Sequence, residues 1–214
     1  MSKLIGINAA AELIFDGATV MFGGFMANGS AEGIIDALVA RGVRDLTIIC
    51  NDSGLIDRGV GKLIVNKQCR RLIASHIGLN RETGRQMTAG ELDVELVPQG
   101  TLVEQIRAGG YGLGGVLTRT GIGTPVAEGK RTIEIDGTTY LLELPMRADF
   151  AVLFGSIVDK AGNIAYRGSQ NNFNHTMAAA ADMVIVQAGE VVEIGELDPN
   201  HVATPGIFVN FIAI

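Results

Sequence analysis

Asn51 and Gln99 are the side chains in this sequence whose type and placement point most directly to chemistry, since each stands at the end of a short apolar run and carries a carboxamide. A carboxamide offers two N–H donors and a carbonyl acceptor, so it can hold a carboxylate or an oxyanion without transferring a proton. Asn51 fits a turn-forming or helix-capping role as well; Gln99 is harder to read as a turn former. Asp52, Ser53 and Gly54, then Ser75 and His76, then Pro98 and Gly100 follow comparable runs, and the resulting set carries neutral hydrogen bonders rather than a catalytic triad. His76, His175 and His201 lie far apart without metal-ligand spacing, so no metal site is expected. His76 reads as a hydrogen-bonded bystander and Cys50 as a core residue. The stretch Gly110-Tyr-Gly-Leu-Gly-Gly115 matches GxGxxG but follows a predicted helix instead of a strand, which leaves a ligand-lining loop or a plain connection. Lys67, Arg70 and Arg71 read as a solvated face, and Asn171-Asn-Phe-Asn174 as helix capping.

These groups need a scaffold that brings distant segments together. Strands are predicted over residues 18–22, 46–50, 71–75 and 94–97, and helices over 9–15, 31–40, 56–65 and 101–108. Such alternation predicts a parallel sheet covered on both faces, with Val20, Met21 and Phe22 buried on both sides. Ligands of open parallel sheets bind outside the carboxyl ends of the strands, so the four loops after these strands should share one rim. The first of them, Gly23-Gly-Phe-Met-Ala-Asn-Gly-Ser30, reads as a glycine-rich turn that exposes backbone N–H groups at a helix N-terminus. Ser30 is its expected N-cap, Glu32 lies in the first turn, and Gly42 ends the helix. A plain strand-to-helix turn fits the same residues.

The second half changes texture. Residues 132–135 and 138–142 flank Asp136-Gly137, a two-residue hairpin signal. Strands are expected over 151–157 and 183–186 with a helix near 175–181, and the apolar residues 207–214 are read as a last strand of the same sheet, burial against a partner being the alternative. The expected fold is α/β, a three-layer α/β/α arrangement with a mainly parallel sheet and a β-hairpin elaboration, forming a single domain over residues 1–214. Composition is consistent with this. With 214 residues, 47% hydrophobic and 19% charged, the chain is globular rather than disordered. A net charge of −6 excludes a nucleic-acid groove and a polybasic membrane surface. Two cysteines give no disulfide framework, and no signal peptide or membrane span is discernible, so a cytoplasmic location is expected.

Asp16-Gly-Ala-Thr-Val-Met-Phe-Gly-Gly-Phe-Met-Ala-Asn-Gly29 resembles the N-terminal signature of the α (A) subunits of two-subunit, 3-oxoacid-type CoA-transferases. The likeness continues through Arg41-Gly-Val-Arg-Asp-Leu-Thr47, Asn51-Asp52, Ala89-Gly-Glu91, Val97-Pro-Gln-Gly-Thr-Leu-Val-Glu-Gln-Ile-Arg107 and Leu117-Thr-Arg-Thr-Gly-Ile-Gly-Thr124, covering nearly the whole chain in order. Within the family it is nearest the bacterial acetate or butyrate:acetoacetate type. The resemblance implies an active site between A and B parts, with the nucleophilic glutamate in a Ser-Glu-Asn-Gly motif of the B part. This chain lacks that motif, and the Gly-Glu pairs at Glu91, Glu190 and Glu196 lie in other contexts. The family pattern therefore implies a B-subunit partner in a hetero-oligomer such as α2β2, an acyl-CoA thioester and a short-chain carboxylate as substrates, and no permanently bound cofactor, metal or ATP.

By the same correspondence Gln99 donates to the oxyanion, Asn51 and Asp52 lie near the reacting carboxylate, and Gly24, Phe25, Met26, Ala27, Asn28, Gly29 and Ser30 form the CoA-binding segment. Two positions depart from the family: Ala31 replaces a proline, and Asp52 stands where some relatives have asparagine, which implies a basic neighbour for it. Two alternatives are a dicarboxylate-type transferase for 3-oxoadipate or succinate, which needs an extra cation that no rim position supplies, and a non-catalytic ligand sensor of the same fold.

Overall fold

In the computed structural model, which describes residues 2–214, Val20 and Phe22 face one apolar core and Met21 the other, and all three are at most 1% exposed. The same alternation recurs at Ile48 and Cys50 against Ile49, and at Leu72 and Ala74 against Ile73. A strand buried on both faces lies in the middle of a sandwich of helices. The first half of the chain runs β1 (Leu4–Ile5), α1 (Ile7–Glu12), β2 (Thr19–Phe22), α2 (Glu32–Arg41), β3 (Leu46–Asp52), α3 (Gly61–Val65), β4 (Cys69–His76), α4 (Arg81–Thr88), β5 (Asp93–Leu96) and α5 (Gln99–Gly110). It continues through β6 (Val116–Thr118), β7 (Thr132–Ile135), β8 (Thr138–Glu143), β9 (Ala148–Gly155), β10 (Ile157–Asp159), β11 (Ile164–Ala165), α6 (Asn174–Met177), β12 (Ala181–Ala188), β13 (Val191–Val192) and β14 (Phe211–Ala213).

Eight strands form the main sheet in the order β1-β14-β12-β9-β2-β3-β4-β5, and every pairing in it is parallel. Helices α1, α2 and α3 bury Ala10, Ile34, Leu38 and Leu63 on one face, while α5 and α6 bury Leu102, Ile106 and Met177 on the other. The three-layer expectation is therefore met. Winding proceeds outward from β2 through β3, β4 and β5, then returns to the other side of β2 with β9, so the topological switch lies between β2 and β9. The apolar C-terminus is the sheet strand β14, seated between β1 and β12.

Several boundaries differ from the sequence reading. The helix expected over 56–65 begins only at Gly61, because residues 55–58 close a tight turn first. Helix α4 went unpredicted: its inward residues are Thr83 and Gln86, so it lacks the apolar stripe that signals a helix, although Asn80 caps it by accepting from the Glu82 N–H at 3.1 Å. The strand expected over 151–157 breaks at Ser156 into β9 of the main sheet and β10 of a small sheet with β11 and β13. The hairpin at Asp136-Gly137 is present, and β6 joins it as a third strand. No helix among the described residues is long and apolar enough to cross a membrane.

Candidate active site

The carboxyl ends of β2, β3 and β4 and the start of α5 converge, as the rim argument requires. Asn51 is fully buried near the end of β3 and is the hub. Its Oδ1 accepts from the Gln99 Nε2–H at 2.9 Å and from the Ser75 hydroxyl at 2.7 Å, and its Nδ2 donates to Asn172 Oδ1 at 3.3 Å. Gln99 is the first residue of α5 and is exposed, so its carboxamide lies on the open side of this network. Asn51 and Asp52 belong to β3 itself, rather than to the loop expected after it.

Asp52 is only 3% exposed, and it joins two loops. One carboxylate oxygen accepts from the Met26 N–H at 3.1 Å and the other from the Gly54 N–H at 3.2 Å. Burial raises its pKa above the ordinary 3.8, against the opposing pull of those two amides and of His76. Its partners in this chain are thus backbone amides, which suits a brace.

The two loops are near-copies. Phe25 and Asn28 exchange backbone bonds of 3.0 and 2.9 Å across Met26-Ala27, and Leu55 and Arg58 exchange bonds of 3.0 and 3.4 Å across Ile56-Asp57. Glycines with positive φ flank each, Gly24 and Gly29 in the first and Gly54 and Gly59 in the second. In the first loop Met26 (φ 51°) and Ala27 (φ 62°) also occupy the left-handed region, a costly conformation for side chains of this kind. The two glycines spaced five apart were the sequence signal for the second loop.

Part of the expected anion cradle is engaged internally. The N–H groups of Phe25, Met26 and Asn28 already donate within the protein. Of the segment 24–30, Met26 and Asn28 are exposed and Phe25 is half-buried, whereas Gly24, Ala27, Gly29 and Ser30 are buried. Ser30 is not the N-cap either: α2 begins at Glu32 after Ala31, and the Ser30 hydroxyl donates to the Gly23 carbonyl at 3.3 Å. Glu32 accepts from the Gly59 N–H at 2.8 Å and pairs with Lys62 at 2.8 Å, so the first-turn acid ties α2 to the second loop. Gly42 does terminate α2, with φ 70°.

The asparagines read as helix caps have another task. Phe173 precedes α6 without a side-chain cap. Asn174, fully buried, donates through Nδ2 to the carbonyls of Gly29 (2.9 Å) and Gln170 (2.8 Å), and its Oδ1 accepts from the Phe154 N–H at 3.1 Å. It thereby occupies the switch-point crevice and anchors the first loop, to which Asn28 adds a 2.7 Å bond to Ser169. A run of polar amides between two apolar strands was the only sequence signal for this. Cys50 is 2% exposed, and burial pushes its thiol up, in keeping with a core role. The GxGxxG match connects α5 to β6 and has no strand before it. No cluster of metal-ligating side chains occurs among the described residues.

The rim is an open surface. A cavity of about 210 Å³ adjoins it, lined by Gly100, Thr101, Glu104 and the strand β6. A larger one of about 690 Å³, lined by Arg119, Thr120, Ile122 and the β7–β8 hairpin, shares no residue with the rim. The coenzyme A transferase family model matches residues 5–214. The chain is 52% identical to the acetate CoA-transferase subunit alpha of Escherichia coli K12 over 213 residues, covering 100% of this chain and 97% of that one. It is 51% identical to the acetoacetyl-CoA:acetate/butyrate CoA transferase alpha subunit of Clostridium acetobutylicum, covering 99% and 97%. Its fold matches an acyl-CoA transferase from Escherichia coli O157:H7, solved as a thioester complex with CoA, at a TM-score of 0.87 and 21% identity, with all of this chain covering 47% of that one. A polar rim at the carboxyl ends of a parallel sheet, set in a chain matched from end to end in this way, places the protein in the coenzyme A transferase family, among its α subunits.

Proposed function

We propose that the chain, as one domain over residues 1–214, supplies the acyl-group half of a CoA-transferase site in the cytoplasm, moving CoA between a short-chain or 3-oxoacyl-CoA and acetate, butyrate or acetoacetate. The observation that carries this reading is the Asn51–Gln99 pair, which leaves a Gln99 N–H donor without an acceptor among the described residues at an open rim. A B subunit brings the nucleophilic glutamate. Its carboxylate attacks the acyl-CoA carbonyl and expels CoA thiolate, giving an acyl-glutamyl anhydride. The thiolate then attacks the glutamyl carbonyl and releases the first carboxylic acid, leaving a glutamyl-CoA thioester, and a second acid reverses both steps. Each attack places negative charge on a carbonyl oxygen, where a neutral N–H donor stabilises the transition state without proton transfer. Gln99 is that donor. Asn51 aims it, and Asp52 braces the first loop, whose exposed Met26 and Asn28 contact CoA.

Such an assignment is tested by co-expressing the chain with the adjacent B chain and following CoA transfer from acetoacetyl-CoA to acetate or butyrate, with succinate and 3-oxoadipate as competing acceptors. Transfer to the monocarboxylates by the pair, and by neither chain alone, is expected. A folded, assembled pair that transfers no CoA overturns the reading, and a preference for the diacids replaces it with the dicarboxylate type.

A further inference from the structure

The cavity of about 210 Å³ beside the rim lies between α5 and β6, and along the helix its lining runs Gly100, Thr101 and Glu104. Gly100 directly follows Gln99, and Glu104 is one turn further on, about 6 Å along the axis. The hollow therefore starts next to Gln99 and follows α5 away from it. Its opposite wall is β6, the edge strand of the small sheet, which the glycine-rich connection after Gly110 brings back alongside the start of α5. No lysine or arginine lines this cavity, and the Glu104 carboxylate accepts from Arg107 Nε at 3.1 and 3.3 Å. Nothing in the lining would fix a second carboxylate. The volume lies below the roughly 300–1,000 Å³ of sites for drug-sized molecules, so a chain of a few carbons fits and a whole coenzyme does not. Gly100 keeps the near end open: a Cβ there would meet no other group within 4 Å.

From this placement we infer that the cavity between α5 and β6 receives the hydrocarbon chain of the acyl group and of the acceptor acid, and that Gly100 and Leu117, both in its lining, set which chain lengths transfer. The inference rests on the oxyanion role proposed for Gln99, because a carbonyl held there directs its chain past Gly100. Both half-reactions use the same hollow, which the first acid vacates before the second enters. The methyl of acetate reaches only the Gly100 end, whereas the chain of butyrate continues between α5 and β6.

The test compares kcat/KM of the assembled A–B enzyme for acetate, butyrate and hexanoate, with acetoacetyl-CoA as donor, in the wild type, Gly100→Ala and Leu117→Ala. Gly100 is helical and open, so alanine suits the backbone there and the denaturation midpoint is expected not to fall. A purely structural role thus predicts no loss. The expected result for Gly100→Ala is a fall of about 10-fold in the butyrate-to-acetate ratio, and for Leu117→Ala a rise of about 10-fold in the hexanoate-to-butyrate ratio. Gln99 serves all three acids alike, so a disturbance of Gln99 itself lowers every rate together and leaves the ratios where they were. An active wild-type pair whose ratio is unchanged in either variant overturns the inference and leaves the transferase reading standing. A folded, assembled wild-type pair that transfers CoA to none of the acids overturns that reading first, and the inference falls with it.

Discussion

Asp52 and Gln99 both border Asn51 but differ in exposure, and the difference sets what each can do. A carboxyl whose pKa is raised by folding binds more protons in the folded than in the unfolded state between the two values, so its contribution to stability falls as pH rises through that interval. Relative to Asp52→Asn, the wild type is expected to lose stability as pH increases from the ordinary 3.8 through the raised folded value, read from denaturation midpoints. A wild type that gains over that interval contradicts the burial argument. Gln99→Ala is expected to lower turnover by about 10²–10³ while leaving assembly with the partner intact, as steady-state rates and gel filtration will report. That Asn51 and Gln99 meet was legible in the sequence because both stand at the carboxyl ends of strands predicted for one parallel sheet, although Asn51 alone fitted a turn or cap as well. Asn172 and Asn174 were not legible, since an asparagine run before a helix is also what capping looks like, and only the fold brings that turn across to β2 and β3.

At the scale of elements, the turn after β2 carries backbone strain at Met26 and Ala27, whereas its counterpart after β3 confines positive φ to Gly54 and Gly59. A type I′ turn such as Phe25–Asn28 favours asparagine or glycine at its centre, and a long side chain held left-handed costs roughly 1–2 kcal/mol. Met26→Asn is therefore expected to raise stability by about 0.5–1 kcal/mol while weakening CoA binding, seen as a higher midpoint and a higher KM for acyl-CoA. Gly23→Ala goes the other way: its Cβ would sit 1.8 Å from Asn174 Oδ1, forcing the buried anchor out of place. A loss of about 3 kcal/mol or more is expected. Gly84→Ala, whose Cβ meets nothing within 4 Å inside α4, should instead gain about 0.5–1 kcal/mol. The sequence rhythm predicted β2, β3, β4 and α2 because their apolar spacing is strong. It missed the second turn because Ile56, Val60, Leu63 and Ile64 imitate a helical face, which Gly59 at φ 62° interrupts.

For the whole molecule, the Asn51–Gln99 pair at the rim and the missing Ser-Glu-Asn-Gly motif both support the proposal that this chain supplies the donor to the reacting carbonyl and another polypeptide the nucleophile. The doubly wound sheet was readable from alternating strands and helices. The switch point was not, because the pairing of β9 beside β2 joins segments more than a hundred residues apart. The measurement that tests this most directly is intact-mass analysis of both chains after the active pair is incubated with acyl-CoA in the absence of an acceptor acid. A covalent CoA adduct on the partner chain and none on this one is expected. An adduct on this chain, at Glu91, Glu190, Glu196 or any other residue, would contradict the account.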